Sequence, residues 1–337
     1  MSTGEEPSPR LLPMRLLPLT LGLSIGLILL SLVSLLHGSG IDAALLLAGH
    51  PPPELEWQLL LELRLPRLLA SASAGALLAS AGAAVQARFR NPLAEPGLIG
   101  INSGAALAAA AALSLGAGLY AVSASAFAGG LSSLLLIRLL GQTQQGGSRL
   151  ILSGLAISSL LGSLLTLLIT TLPDGSLRVV IFWLMGSFAS VDWPQTVLLC
   201  AAAPLVWLAL HRQWRFLNAL QLGETAAFHL GFEVRRREWQ VVVLAALAAG
   251  LVVSACGMIG FIGLMGPHLA RQLVGGNARR LLWIAPMLGA LLAIASDWLA
   301  RSLLAPSELP VGVITSLIGA PFFLWLLRQS AEKDSHA

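Results

Sequence analysis

Charged residues are scarce in this sequence. Asp, Glu, Lys and Arg together make up 11% of its 337 residues, whereas a soluble domain carries roughly 25%. Hydrophobic residues make up 56% of the chain, and long apolar stretches recur from Leu16 almost to Leu327. One water-soluble core cannot bury that much apolar surface, so the composition excludes a soluble globular protein and predicts an integral membrane protein.

Lysine is nearly absent as well. The only one, Lys333, is followed by Asp334, whereas a P-loop ends in Lys followed by Ser or Thr. If transport is driven by ATP, the ATPase is therefore a separate chain. The histidines are scattered, with no His-Glu-x-x-His motif, and the two cysteines lie in apolar runs without metal-ligand spacing. We predict no catalytic residue, no metal site and no bound cofactor in this chain, which is not an enzyme.

Acidic residues within the apolar runs are also rare. Nearly all carboxylates fall at run ends or in loops, and only Asp297 lies deeper, with Arg301 one helical turn away. Carriers driven by an ion gradient usually place acidic residues at mid-membrane depth. We therefore favour a structural ion pair or an outward-facing docking charge over a proton relay, and a secondary transporter is the competing function.

Apolar runs of spanning length are what the sequence has in abundance. About ten are predicted, at residues 16–37, 58–86, 97–114, 119–140, 150–172, 193–210, 239–256, 258–274, 281–300 and 309–327. The second run exceeds the length that a bilayer requires, so it tilts or projects beyond the membrane. The segment from Ser176 to Ser187 is predicted to be a surface helix. The fold class is thus all-α, a polytopic membrane protein of about ten transmembrane helices.

The basic residues predict the orientation. With both termini in the cytoplasm, only four of the 20 Lys and Arg lie outside, namely Arg64, Arg67, Arg178 and Arg301. This bias is the positive-inside rule, and it accounts for the net charge of +4 without nucleic acid as a partner. We predict a single transmembrane domain over 1–337, with cytoplasmic tails at 1–15 and 328–337 and a cytoplasmic loop at 212–237.

Two glycine patterns stand out. Gly257, Gly260, Gly263 and Gly266 recur every third residue, which predicts either a tight helix crossing or a locally unwound segment.

The loop at 212–237 contains the second pattern, because residues 217–231 suggest two short helical turns that break at Gly223 and close at Gly231. Such a piece suits a groove on a partner protein or the membrane surface.

Several strings, in order over about residues 60 to 327, resemble the FecCD-type permeases of iron-siderophore, haem and cobalamin ABC importers. They are Arg64-Leu-Pro-Arg67, Arg90-Asn-Pro-Leu-Ala-Glu-Pro-Gly97, Phe182-Trp-Leu-Met-Gly-Ser187, Leu220-Gln-Leu-Gly-Glu224, Gly260-Phe-Ile-Gly-Leu-Met-Gly-Pro-His268 and Ser296-Asp-Trp-Leu-Ala-Arg301.

The resemblance implies a permease subunit in the bacterial inner membrane that moves substrate by alternating access. An iron-siderophore complex is the expected cargo, with haem or cobalamin as the alternative. Expected partners are a second permease subunit, identical or homologous, two ABC ATPase subunits that use ATP and Mg²⁺, and a periplasmic substrate-binding protein.

The resemblance also assigns roles to residues of this sequence. It implies that Arg64, Arg67 and Arg301 dock the binding protein. The alternative is that these arginines only anchor helix ends in the membrane interface. It implies that residues 217–231 couple to the ATPase, with contacts at Leu222, Gly223, Glu224, Ala227 and Gly231. Two turns are candidates for a cytoplasmic gate, at Asn91 with Leu93 and at Gly147 with Ser148, although a helix break at Pro92 explains the first turn equally well.

Overall fold

A computed structural model describes residues 16–37, 54–140 and 147–335. The described residues form helices and contain no β-strand, in agreement with the predicted fold class. In chain order the helices are α1 (Leu16–Leu36), α2 (Glu54–Phe89), α3 (Ile101–Ser114), α4 (Leu119–Leu140), α5 (Gly147–Thr170), α6 (Asp174–Leu184), α7 (Trp193–His211), α8 (Trp214–Gln221), α9 (Glu224–His229), α10 (Val234–Cys256), α11 (Ile262–Val274), α12 (Ala278–Ser302) and α13 (Val311–Ser335).

A helix lies at each of the ten predicted spans. Within the described ranges, seven helices are long and apolar enough to cross a membrane, namely α1, α2, α4, α5, α7, α10 and α12. Helix α3 and the first part of α13 are apolar but shorter, and α11 has 13 residues. The protein is therefore a multi-pass membrane protein, while ten crossings and two cytoplasmic termini stay predictions.

Helix α2 is longer than a bilayer requires, as predicted. Its 36 residues extend about 54 Å at 1.5 Å per residue, against a hydrocarbon core of about 30 Å. The predicted surface helix is also present as α6, and its 11 residues are too few to span. It ends at Leu184, three residues earlier than predicted, before Gly186 with its φ of +70°.

The centre of the fold is formed by α2, α11 and α12, which pack against one another. Small residues make the contact possible, because a Cβ added to Gly82 would collide with the carbonyl oxygen of Gly263, and one added to Gly75 would collide with that of Gly289. Lipid provides no hydrophobic drive for helix association, so such close backbone approach supplies the dispersion contacts.

The repeated glycines between α10 and α11 serve both predicted purposes. Helix α10 ends at Cys256, and Gly257 has a φ of +71°, so the chain is unwound as far as Phe261. Gly263 and Gly266 then contact α2. The start of the predicted span 258–274 is therefore wrong, because α11 begins at Ile262.

The predicted tails are only partly visible. The tail at 1–15 lies outside the described residues, as do positions 336–337 of the tail at 328–337. The last helix does not end at 327 but continues to Ser335.

Candidate functional site

Helices α8 and α9 form a short, bent pair between α7 and α10, which we call the α8–α9 segment (residues 214–231). Gly223 joins the two helices with a φ of +114°, and Gly231 ends the pair with a φ of +85°. Both values are in the region that a side chain strains and glycine adopts freely. The predicted break at Gly223 and closure at Gly231 are confirmed.

The α8–α9 segment exposes three large apolar side chains. Leu222 is 74% exposed, Phe228 68% and Leu230 62%. Apolar side chains grouped on a surface commonly mark a contact with another molecule. The sequence argument singles out Leu222 only. The signal for the other two is that Phe228 and Leu230 are large apolar residues of the same short amphipathic stretch, whose Leu217 and Leu220 are buried.

The remaining predicted contacts in this segment differ in accessibility. Glu224 and Gly231 are exposed, and Gly223 is half-buried. Ala227 is fully buried within the hydrophobic core, so its side chain cannot contact a partner. That part of the prediction is corrected, because Ala227 faces inward and Phe228, the next residue, faces outward.

Helix α8 is fixed to the turn that precedes α12. The Asn218 side-chain oxygen accepts a hydrogen bond from the Ala278 backbone N–H (2.8 Å), and Gln221 Nε2 donates to the Gly276 carbonyl (3.0 Å). The side chain of Leu217 is fully buried beneath them. A displacement of the α8–α9 segment would therefore act directly on the first turn of α12.

Polar contacts also join this region to α2 and α10. Arg88 Nη2 and Glu238 Oε2 form an ion pair at 2.8 Å, with side chains only 8% and 14% exposed. Arg237 Nη1 donates to Gln213 Oε1 (3.1 Å), and Gln213 Nε2 donates to Gln240 Oε1 (3.2 Å). The end of α2 and the residue that precedes α8 are thus both joined to the first turns of α10.

A group of charges occupies the other end of α12, which we call the arginine–carboxylate cluster (Arg67, Asp297, Arg301 and Glu308). Arg67 Nε donates to both Asp297 oxygens, at 2.9 and 3.1 Å, and its Nη1 donates to Glu308 Oε2 at 2.8 Å. Arg301 Nε lies 3.4 Å from Asp297 Oδ2. The predicted structural ion pair between Asp297 and Arg301 is present, and Arg67 completes it from α2.

The predicted docking arginines lie together at this end of the fold, and all three bond within the chain. Arg301 Nη2 donates to the backbone oxygen and the hydroxyl of Ser34, at 2.9 and 2.8 Å. Arg64 Nη1 donates to the Leu35 carbonyl at 2.7 Å. These bonds tie the end of α1 to α2 and α12. The docking role stays a prediction.

The first candidate gate turn follows α2 directly. Arg90 has a φ of +50°, and the Asn91 backbone N–H donates to the Gln86 carbonyl (3.1 Å), which ends the helix. The Asn91 side-chain oxygen then accepts from the Leu93 N–H (2.9 Å).

The second candidate turn is the start of α5. Gly147 and Ser148 are its first two residues, and the Ser148 side chain lies outside the described part of the structure. Further along α5, Gly154 and Ser158 lie close to Gly100, at the start of α3. The gate stays a prediction.

A largely buried carboxyl group lies between the first turn and the unwound segment. Glu95 Oε1 accepts a hydrogen bond from the Phe261 backbone N–H (3.2 Å), and Phe261 has a φ of +66°. Burial raises the pKa of the Glu95 carboxyl above its ordinary value, because a charged carboxylate is disfavoured away from water. Glu95 thus supports an unusual backbone conformation at the start of α11.

Comparison with known proteins shows relatives over most of the chain. The hemin transport system permease HmuU of Yersinia pestis is 39% identical over 326 residues, covering 93% of this chain and 97% of the relative. The vitamin B12 import permease BtuC of Vibrio cholerae is 42% identical, covering 81% and 83%. The Fe(3+) dicitrate permease FecD of Escherichia coli is 41% identical, covering 83% and 87%.

Solved structures share the fold. A metal-chelate type ABC transporter in an inward-facing conformation matches with a TM-score of 0.86 and 33% identity, over 93% of this chain and 99% of that one. PsaBC from Streptococcus pneumoniae matches with a TM-score of 0.56 at 18% identity, which is a likeness of fold alone. The sequence profile of the FecCD transport family matches residues 19–329, and this chain therefore belongs to that family.

Proposed function

We propose that this chain is the permease subunit of an ATP-driven importer that carries an iron chelate across the bacterial inner membrane by alternating access. Haem and cobalamin are the alternative cargoes. The FecCD family and the iron-dicitrate, hemin and vitamin B12 permeases among the relatives support this class of cargo. The metal-chelate transporter among the solved structures supports the same class of cargo, within which an iron chelate is our first choice.

The observation that carries the proposal is the α8–α9 segment. Leu222, Phe228 and Leu230 project from it while its other face is buried. This is the arrangement of a short amphipathic helix that sits in a groove of a partner. In our proposal the partner is one of two ATPase subunits, which bind ATP and Mg²⁺, and this chain binds neither.

The anchoring of α8 supports mechanical coupling. Its bonds to Gly276 and Ala278 hold it to the first turn of α12, and α12 reaches Asp297 about 30 Å further on, at 1.5 Å per residue. Movement of the segment on ATP binding would therefore be transmitted along α12 to the arginine–carboxylate cluster. In the predicted orientation, this connects the cytoplasmic face to the periplasmic face.

Exposed hydroxyl residues on helix α5 support the proposal that the transport pathway is shared with a second permease subunit, identical or homologous. Ser159, Ser163, Thr166 and Thr170 lie on an exposed face of α5. The hydroxyls of Ser163, Thr166 and Thr170 bond to carbonyls of their own helix. Hydroxyl groups on a membrane helix usually face a partner helix or an aqueous path.

The cluster suits docking of a periplasmic binding protein. Glu308 is 45% exposed while the side chain of Arg67 is 11% exposed, so an external carboxylate reaches Arg67 by displacing Glu308. Arg64 and Arg301 lie beside it and add positive charge. Arg–carboxylate pairs are strong and geometrically specific. Asn91, Leu93, Gly147 and Ser148 remain our candidates for the cytoplasmic gate.

A carrier driven by an ion gradient is the competing function. Asp297 is the most deeply buried carboxylate among the described residues, and Arg67 and Arg301 both contact it. Contact with two guanidinium groups is the arrangement of a structural ion pair, and it favours the importer over a proton-coupled carrier.

The proposal is tested by uptake of radiolabelled ferric siderophore, haem and cobalamin into proteoliposomes that contain this permease. We expect uptake of the ferric siderophore only when ATP, the cognate ATPase and the binding protein are all present. Uptake of haem or cobalamin alone would keep the importer and change its cargo. Uptake driven by a proton or sodium gradient without partners would overturn the proposal.

The coupling role makes a separate prediction. Phe228→Asp is expected to weaken ATPase binding by at least about 30-fold, since an exposed aromatic anchor at an interface centre carries 2 kcal/mol or more. The measurement is biolayer interferometry of purified ATPase on immobilised permease in nanodiscs. Leu304→Asp is the matched control, because Leu304 is 58% exposed at the opposite end of the fold. If the ATPase bound both variants with equal affinity, Phe228 would not be part of the ATPase contact.

A further inference from the structure

A cavity of about 710 Å³ lies where the start of α1, the end of α7, the start of α8 and the start of α12 meet. Its walls include Leu16 and Leu17 on one side, with Trp214, Trp283, Arg279 and Arg280 on the other. In the predicted orientation, these helix ends lie at the cytoplasmic ends of the apolar runs. That is the depth where lipid headgroups meet the acyl chains.

The cavity is rich in uncompensated positive charge. Arg279 and Arg280 line it, and the Arg215 guanidinium lies 5.2 Å from the Trp214 ring centre. None of the ion pairs found in the described part of the chain includes any of the three. Arg279 and Arg280 also lie at the positive N-terminal end of α12, where the helix dipole favours an anion. An anionic group in the cavity would relieve their mutual repulsion.

Aromatic residues hold the charged wall in position. The Arg279 guanidinium lies 5.5 Å from the Trp214 ring centre, a cation–π contact. Trp283 is 44% exposed and packs edge-on against Trp207, with 5.2 Å between ring centres. Trp207 is itself fixed by a 2.8 Å hydrogen bond from its Nε1 to the Leu282 carbonyl. Tryptophan is enriched at the membrane–water interface, where its ring spans both environments.

The opposite wall of the cavity is apolar and is continuous with an exposed apolar side of α1. Leu17, at the start of α1, is 72% exposed, and Leu21 and Ile25 continue the same exposed side. Helix α1 is the most hydrophobic of the spanning helices. A small inorganic anion would leave this surface uncovered, whereas a ligand with an anionic head and an apolar tail would cover both walls.

We propose that this cavity binds an anionic diacyl phospholipid such as phosphatidylglycerol. Its phosphodiester lies between Arg279 and Arg280 and accepts their hydrogen bonds, its glycerol contacts the indoles of Trp214 and Trp283, and an acyl chain follows Leu17 along α1. Basic pockets between membrane helices bind lipid headgroups in this way. The lipid would join α1 to α12 beside the turn that anchors α8.

The test is native mass spectrometry of the full-length permease titrated with phosphatidylglycerol or phosphatidylcholine of the same acyl chains. We expect phosphatidylglycerol to bind more tightly, and Arg279→Gln/Arg280→Gln to weaken it by about 30-fold, at the energy typical of two basic residues near an anionic headgroup. Arg235→Gln/Arg236→Gln is the matched control. It removes the same charge from two exposed residues that do not line the cavity, and it should leave the affinity unchanged.

Each other outcome rejects the proposal. If both double variants lost the same affinity for phosphatidylglycerol, the lipid would be attracted to positive charge in general. If the two lipids bound equally well, the site would not recognise the anionic headgroup. Displacement of the lipid by glycerol phosphate would mean a site for a soluble anion. If Arg279→Gln/Arg280→Gln kept phosphatidylglycerol and lost the dimeric permease in the same spectra, the cavity would be a protein interface.

Discussion

Replacing Asp297 with alanine is expected to lower the free energy of unfolding of the permease by about 3–5 kcal/mol, the cost of breaking a buried ion pair by removing one partner. The Asp297 side chain is 3% exposed and contacts both Arg67 and Arg301. Without it, two guanidinium groups with little access to water lose their shared counter-charge. The measurement is the thermal unfolding midpoint of the purified chain in detergent, followed by size-exclusion chromatography.

Glu308→Gln is the control within the same cluster. Glu308 also bonds to Arg67, but it is 45% exposed, and ion pairs in contact with water contribute about 0–1 kcal/mol. We expect a much smaller shift of the midpoint than in Asp297→Ala. Equal shifts would mean that Asp297 does not hold the cluster together.

The physical cause is tested by a triple variant, Arg67→Met/Asp297→Leu/Arg301→Met. Buried ion pairs can often be replaced by apolar residues of similar volume without loss of stability. If stranded positive charge is the cause, the triple variant should recover much of the stability that Asp297→Ala loses. It should also weaken docking of the binding protein, because only Arg64 of the three candidate docking arginines remains to meet a carboxylate.

The helices could be predicted from the sequence because each apolar run must hydrogen-bond its own backbone in lipid, which only a helix does within one segment. The exact boundaries could not be predicted where glycines intervene. The run at 258–274 has no charged residue before Arg271, yet the chain is helical only from Ile262, since Gly257 leaves the helix with a positive φ.

The candidate sites were predictable only where the signal is local. The break at Gly223 and the pair of Asp297 with Arg301 each depend on neighbours within a turn. The contact of Arg67 with Asp297 joins residues 230 positions apart, and the burial of Ala227 depends on which helices pack beneath α9. Tertiary packing decides both contacts. The arginines predicted to dock a partner therefore bond within the chain, and Phe228, not Ala227, is exposed.

Gly82→Val is expected to destabilise the permease by at least about 3 kcal/mol, the upper range for overpacking a well-packed core. A single Cβ on Gly82 already collides with the Gly263 carbonyl oxygen, and valine adds two methyl groups. Helices α2 and α11 would have to separate, which removes the close contact that holds membrane helices together. The measurement is the monodisperse fraction of a fluorescent fusion after solubilisation, and we expect most of it to be lost.

Gly26→Val is the matched control, because a Cβ at Gly26 in α1 has no neighbour within 4 Å. Its monodisperse fraction should equal that of the parent chain. A normal fraction for Gly82→Val, with uptake abolished, would show that α2 and α11 separate readily and that their contact moves during transport. Loss of the folded fraction would instead mean that the folded state requires the close contact of α2 with α11. Alternating access would then leave these two helices together and take place through α5 and the α8–α9 segment.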